Sequence, residues 1–275
     1  MDSRTGTFLS GGARIFYRLF GRAGATPLLI VHGLSYISYD WIGPAAALAS
    51  DREVVAMDMR GFGESDWAAD YTVPTVAGDV VGLLDHLGWA GAVLMGHSMG
   101  ARGCVYAAAE NPGRVAGLVL VDYSPEGAPA GTRRVAEKVA DTPERFASVE
   151  EAMVWFGAED ADKRARYQAY LKPVDGGVAI KRDVHFRDQF RRYLETGERP
   201  KLGADMWAAL GKVPAPILAI RGARSDMFAA ETMPKMTAAN AKLTMMELPT
   251  GHDVAGEDPD GLVREVRAFL ERVGP

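Results

Sequence analysis

Ser98 stands in the stretch Ala92-Val93-Leu94-Met95-Gly96-His97-Ser98-Met99-Gly100-Ala101. Residues 96–100 have the form Gly-x-Ser-x-Gly, directly after an apolar run of strand length and directly before a helix-like stretch. On a sharp strand-to-helix turn a serine oxygen projects above the sheet, and flanking glycines let neighbouring backbone approach closely. The new helix N-terminus would set the Met99 amide and a positive dipole end beside a developing oxyanion. Taken alone, a serine between glycines also suits a helix N-cap; the strand–turn–helix context is what favours chemistry. A serine hydroxyl is a poor nucleophile near neutral pH, so it needs a base and a group that orients the base.

Five histidines are available: His32, His86, His97, His185 and His252. His252 lies in Leu248-Pro249-Thr250-Gly251-His252-Asp253, on a loop after the last strand-like run. A histidine C-terminal to the serine on such a loop is where the chain order Ser…acid…His expects the base. His97 is the serine's own neighbour and cannot readily reach its oxygen. His86 suits a helix end, and His185 fits either a substrate contact or a surface position. His32-Gly33-Leu34 ends another strand, and the Leu34 amide is the expected second oxyanion donor beside Met99. In Asp58-Met59-Arg60-Gly61-Phe62-Gly63-Glu64-Ser65 the aspartate and arginine are expected to pair and brace a loop.

These residues must be positioned by the elements between them. Strand-length apolar runs occur at 5–9, 13–20, 27–32, 53–58, 92–96 and 115–122, the first two an antiparallel pair around Ser10-Gly11-Gly12. Continuous runs such as Leu28–Val31 and Leu118–Val121 suit central strands covered on both faces. Helical spacing fills 41–50, 75–87 and 99–111; in the second, Val76, Val80, Leu83, Leu84 and Leu87 form one stripe. This βαβ rhythm implies a mostly parallel sheet. It stops after Asp122, gives way to a helical insertion with turns at Asp175-Gly176-Gly177 and Gly197, and resumes at 215–222, 241–248 and 258–273. The expected division is a core of 1–126 and 210–275 with a helical cap at 127–209.

Composition sets outer bounds. The 275 residues are 48% hydrophobic and 24% charged, with net charge −5, which argues against a generally basic nucleic-acid binder. One cysteine, Cys104, excludes an intramolecular disulfide framework and a cysteine-rich metal site. Met1-Asp2-Ser3-Arg4-Thr5-Gly6 lacks the charged front and apolar stretch of a secretory signal, and no run of ~18 apolar residues is found. A soluble cytoplasmic protein without a membrane partner, monomeric or homodimeric, is expected.

Together these features resemble the α/β-hydrolase superfamily: His32-Gly33, residues 58–65, the Gly96–Gly100 elbow, an acid after a strand, and Gly251-His252. The resemblance implies an eight-stranded, mostly parallel sheet flanked by helices, with a helical cap inserted after the sixth strand. It leaves two candidates for the triad acid. Asp226 follows the seventh core strand, the commoner family position, but the family pattern there is Gly-x-x-Asp and the third residue after Gly222 is Ser225. Asp122 ends the sixth strand and resembles the branch whose acid sits there. Asp122 is preferred.

The leading functional expectation is a serine hydrolase cleaving a small carboxylic ester or lactone, with Ser98 as nucleophile, His252 as base, Asp122 orienting it, and no cofactor or metal. Serine in place of aspartate argues against the dehalogenase and epoxide-hydrolase branches. Cleavage of a carbon–carbon bond or an amide on the same triad, and a ligand receptor with slow hydrolysis, are the alternatives; turnover far below ~1 per second would mark the receptor. Trp155, Phe156, Tyr167, Tyr170, Phe186, Phe190 and Tyr193 could line a pocket or pack the cap. Arg187, Arg191 and Arg192 are read as a solvated helix face in preference to an anion site.

Overall fold

A computed structural model describes residues 3–273; Met1 and Asp2 of the opening stretch, like Gly274 and Pro275, lie outside the described residues. In chain order the strands are β1 (Arg4–Ser10), β2 (Ala13–Phe20), β3 (Ala25–Val31), β4 (Arg52–Met57), β5 (Ala92–His97), β6 (Val115–Val121), β7 (Arg145–Phe146), β8 (Leu171–Val174), β9 (Gly177–Ile180), β10 (Ile217–Gly222) and β11 (Leu243–Leu248). Eight of them form one sheet in the order β1-β2-β4-β3-β5-β6-β10-β11. Gly11 and Gly12, both at positive φ, turn the chain between antiparallel β1 and β2, and β2 runs antiparallel to β4. Every pair from β4 to β11 is parallel. The C-terminal ends of those strands therefore share one edge, where ligands bind in open parallel sheets.

The helices are α1 (Ile42–Leu48), α2 (Val73–His86), α3 (Met99–Glu110), α4 (Pro129–Asp141), α5 (Val149–Phe156), α6 (Ala161–Ala169), α7 (Val184–Thr196), α8 (Met206–Lys212), α9 (Met233–Ala239), α10 (Val254–Glu257) and α11 (Pro259–Val273). Strand side chains alternate between faces, which explains the continuous apolar runs. Leu29 and Val31 join the cluster under α2, α3 and α8, whereas Leu28 and Ile30 join the one under α1 and α11. Val76, Val80, Leu83 and Leu84 of the α2 stripe face the first cluster. Leu262, Val266, Phe269 and Leu270 give α11 the same spacing toward the second. Each fully buried aliphatic side chain contributes about 1.5–3 kcal/mol.

Between β6 and β10 the chain forms α4–α7 and a three-stranded sheet in the order β7-β9-β8, so the inserted segment expected as a helical cap, called the cap below, is mixed and not purely helical. Val174 pairs with Gly177 across Asp175-Gly176, an Asp-Gly hairpin turn flanked by Val174, Val178 and Ile180. That local signal is outweighed in composition by the helical residues around it. The cap has its own core, including Phe146, Met153, Leu171, Val178 and Ile180. The expected boundary at 209 falls inside α8, whose Met206, Ala209 and Leu210 bury in the main core.

The expected Asp58–Arg60 pair does not form. Arg60 makes a two-point bond to Asp79 of α2, at 2.7 and 2.6 Å, with both side chains buried. Asp58 accepts instead from the backbone N–H groups of Ser38 and Glu64. Asp79 offers the Arg60 guanidinium two acceptors from α2, while the two Asp58 oxygens are taken by the backbone N–H groups.

Candidate active site

Ser98 sits between β5 and α3 at φ 48°, ψ −113°, a backbone conformation that side chains disfavour. Its neighbours explain why it is flanked by glycines. A Cβ on Gly100 would come within 2.2 Å of the His32 carbonyl oxygen, and one on Gly96 within 2.4 Å of the Ala101 Cα. A Cβ on Gly33 would lie 3.2 Å from the Ser98 Cβ, so the end of β3 passes directly beside the serine.

His32 holds that passing backbone. Its ring Nε2 accepts from the Met59 N–H at 2.9 Å, which leaves Nδ1–H to donate to the Gly33 carbonyl at 2.7 Å. Burial lowers the His32 pKa, in keeping with a neutral ring in these roles. In the planar trans peptide, the Leu34 N–H points opposite to the Gly33 carbonyl, away from His32. Met99 is the first residue of α3, so its N–H has no acceptor within the helix. Leu34, Ser98, Met99 and His252 all line one cavity of about 600 Å³ between core and cap.

His252 follows β11, and its Nδ1 donates to Asp122 Oδ2 at 2.6 Å. Its Nε2 is thereby left as the ring's acceptor. Asp122 is buried, sits at φ 42° after β6, and accepts also from the Gly222 N–H at 2.8 Å and the Ser225 hydroxyl at 2.5 Å. Ser225, which stands where the superfamily pattern has its aspartate, thus serves Asp122. Asp226 points elsewhere: it forms a two-point pair with Arg134 of α4, at 2.5 and 2.7 Å. The structure brings Asp122 and His252 together and leaves Asp226 paired with Arg134 of α4.

His97 is more than a neighbour of the serine. Its Nε2 meets the His252 carbonyl oxygen at 2.9 Å, and the two rings lie 4.8 Å apart. Tyr36 and Trp41 flank it. Burial, with the nearby His252, lowers its pKa to about 4, so the neutral ring donates from Nε2 and holds the His252 backbone. Sequence spacing offers no signal for this contact, because it joins residues on β5 and the loop after β11. Arg166 of α6 ties the cap to the same region, pairing with Asp40 at 2.6 Å and Asp253 at 2.9 Å.

The remaining candidates sort plainly. Phe156, Tyr167, Tyr170, Phe186, Phe190 and Tyr193 line the cavity, while Trp155 is half exposed and lies against Phe146. Arg187 pairs with Glu144 and Asp188, Arg191 donates to the Ala140 carbonyl and Arg192 pairs with Glu198. The cavity's basic residues are others, among them Arg102, Arg134 and Arg166. His86 stacks on Phe8 and bonds Tyr17. Cys104 is buried, which raises its thiol pKa and disfavours the thiolate. Among the described residues no group of three or more His, Cys, Asp or Glu side chains is placed to hold a metal ion, and no helix is long and apolar enough to cross a membrane.

Residues 26–259 match the family described as alpha/beta hydrolase fold. The chain belongs to that family. This alpha/beta hydrolase is 31% identical to the 3-hydroxybutyrate-oligomer hydrolase of Cupriavidus necator, over 91% of this chain and 90% of that protein. It is 27% identical to the 2-(acetamidomethylene)succinate hydrolase of Mesorhizobium japonicum, over 90% and 89%. The crystal structure of an E-2-(acetamidomethylene)succinate hydrolase superposes with TM-score 0.86 and 24% identity, over 98% of this chain and all of that one. An alpha/beta hydrolase from Novosphingobium aromaticivorans gives TM-score 0.80 and 28% identity, over 98% and 99%. The eight-stranded alpha/beta hydrolase fold is thus shared along nearly the whole chain.

The buried histidines of this alpha/beta hydrolase set a pH dependence. A folded-state pKa near 4 for His97, against about 6.5 when unfolded, means that the unfolded chain binds more protons between those values. His32 shifts in the same direction. The stability that these neutral rings allow is therefore full above about pH 6.5 and is lost as pH falls toward 4. Thermal midpoints should decline over that window, and His97→Gln, which keeps a donor for the His252 carbonyl, should flatten the decline. An unchanged slope in His97→Gln would refute the assignment.

Proposed function

We propose that this chain is a serine hydrolase that cleaves a small carboxylic ester or lactone through an acyl-enzyme on Ser98. The observation that carries the reading is the Asp122–His252 hydrogen bond at 2.6 Å, made at the edge of the cavity that Ser98 also lines. Ser98 Oγ attacks the substrate carbonyl while His252 Nε2 takes its proton. Asp122 holds the ring by Nδ1–H and stabilises the imidazolium. The Leu34 and Met99 N–H groups receive the oxyanion, with the α3 dipole adding to the second. The tetrahedral intermediate collapses, the C–O bond breaks, and the leaving alkoxide takes the proton from His252. Water then attacks the acyl-enzyme with His252 again as base, returning the proton to Ser98 Oγ and releasing the acid.

A cavity of about 600 Å³ suits a small-molecule substrate. The similarity to a hydrolase of 3-hydroxybutyrate oligomers supports the ester over the carbon–carbon and amide readings, since hydroxy acids oligomerise through ester bonds. Intact-mass analysis after treatment with a small fluorophosphonate tests the nucleophile. A single adduct on the wild type, absent from Ser98→Ala, is expected; a folded wild type that takes no adduct would overturn the reading and favour a ligand receptor. Release of acid from short acyl esters, above about one turnover per second, is the accompanying check.

A further inference from the structure

The basic residues around the cavity differ in one respect. Arg134 is paired with Asp226, Arg166 with Asp40 and Asp253, Lys181 with Glu64 and Arg182 with Glu144. Arg102, Lys138 and Arg199 also line the cavity, and among the described residues none of their side chains makes an ion pair or a hydrogen bond; Lys138 and Arg199 are exposed, whereas Arg102 is partly buried. It stands on α3, which begins directly after Ser98, and both residues line the same cavity. It also borders a second cavity of about 210 Å³, which shares Met99, Arg102 and Phe186 with the first.

Burial lowers the Arg102 pKa, and the group that offsets this effect is Tyr123, a neutral phenol at ordinary pH and not a carboxylate. The Tyr123 hydroxyl is itself buried with no hydrogen-bond partner among the described residues. The Arg102 side chain is partly buried, and among the described residues no carboxylate lies within ion-pairing distance of it. A bound anion would supply the missing counter-charge.

We propose that Arg102 is the site for a free carboxylate on the substrate, and that this hydrolase selects esters carrying a carboxylate close to the scissile carbonyl. The proposal rests on the reading of Ser98 as nucleophile. Ser98 and Arg102 line the same cavity, so one substrate can present its scissile carbonyl to the first and a carboxylate to the second. Short hydroxy-acid esters and dicarboxylic half-esters carry both groups. The guanidinium fork gives the carboxylate two parallel N–H donors and fixes the substrate's direction relative to Ser98.

Two substrate pairs test this. In 3-acetoxybutanoate and its neutral amide the carboxylate position is on the alcohol side; in 4-nitrophenyl hydrogen glutarate and its neutral amide it is on the acyl side. The wild type should prefer the acid in at least one pair. Arg102→Gln should reduce that preference, taken as a ratio of kcat/KM values, by about 10- to 100-fold, and Arg102→Lys should restore part of it. A wild type that prefers neither acid, or an Arg102→Gln enzyme that keeps the preference, would overturn the proposal. Calorimetric binding of free 3-hydroxybutyrate provides a readout that does not depend on Ser98. At least tenfold weaker binding by Arg102→Gln supports the site, and equal binding by both proteins overturns it. Failure of the fluorophosphonate adduct would instead strike the nucleophile assignment, and leaves the calorimetric comparison to decide the carboxylate site. Matching thermal midpoints confirm that Arg102→Gln is folded.

Discussion

Asp122→Asn is expected to lower kcat for ester hydrolysis by about 10⁴, while Asp226→Asn changes it by less than about threefold. Asp122 accepts from His252 Nδ1, and an asparagine amide turned toward that nitrogen would favour the opposite tautomer, with Nε2 protonated and unable to accept the serine proton. The Ser225 hydroxyl and Gly222 N–H each hold one oxygen of Asp122, so the replacement has little freedom to relax. Asp226 is committed to Arg134 on a partly exposed face, where losing the pair costs about 0–1 kcal/mol of stability. Steady-state kinetics on one short ester decides the matter. Equal and mild losses in both variants would remove Asp122 from the mechanism.

Ser98→Ala and Ser98→Gly should both lower kcat by about 10⁶, but they should differ in stability. The serine is held at φ 48°, ψ −113°, which is strained for any residue with a Cβ and accessible to glycine. Strain of this kind costs about 1–3 kcal/mol, and glycine returns about 0.4–1 kcal/mol of that gain through its freer unfolded chain. Ser98→Gly should therefore be the more stable of the two by about 1 kcal/mol and unfold at the higher denaturant concentration. Two equal midpoints would show that the turn is not strained. The result would also separate the hydroxyl's contribution to turnover from the cost of presenting it.

Features that depend on neighbours in the chain were legible in the sequence. Alternate burial of Leu28, Leu29, Ile30 and Val31 on two sheet faces follows from strand periodicity, and so it marked a central strand without knowledge of the partners. Gly96 and Gly100 announced a tight strand-to-helix turn because only a missing Cβ permits those backbone approaches. The Ser225 position was visible as a departure from the family pattern, though its meaning was not. The Asp175-Gly176 hairpin was visible only as a turn, since its strands are short and lie among helical residues.

What the tertiary structure alone decided are matches between distant side chains. Asp122 meets His252 because β6, β10 and β11 end side by side, whereas Asp226 is drawn off by Arg134 of the cap. Arg60 finds Asp79 across a helix and not Asp58 along its loop. His97 reaches the His252 carbonyl over 155 positions of sequence. Arg102 is distinguished by partial burial without a partner, and that is a property of everything packed around it. Charge pairing is set by distance and burial in space, and sequence separation carries almost no information about either.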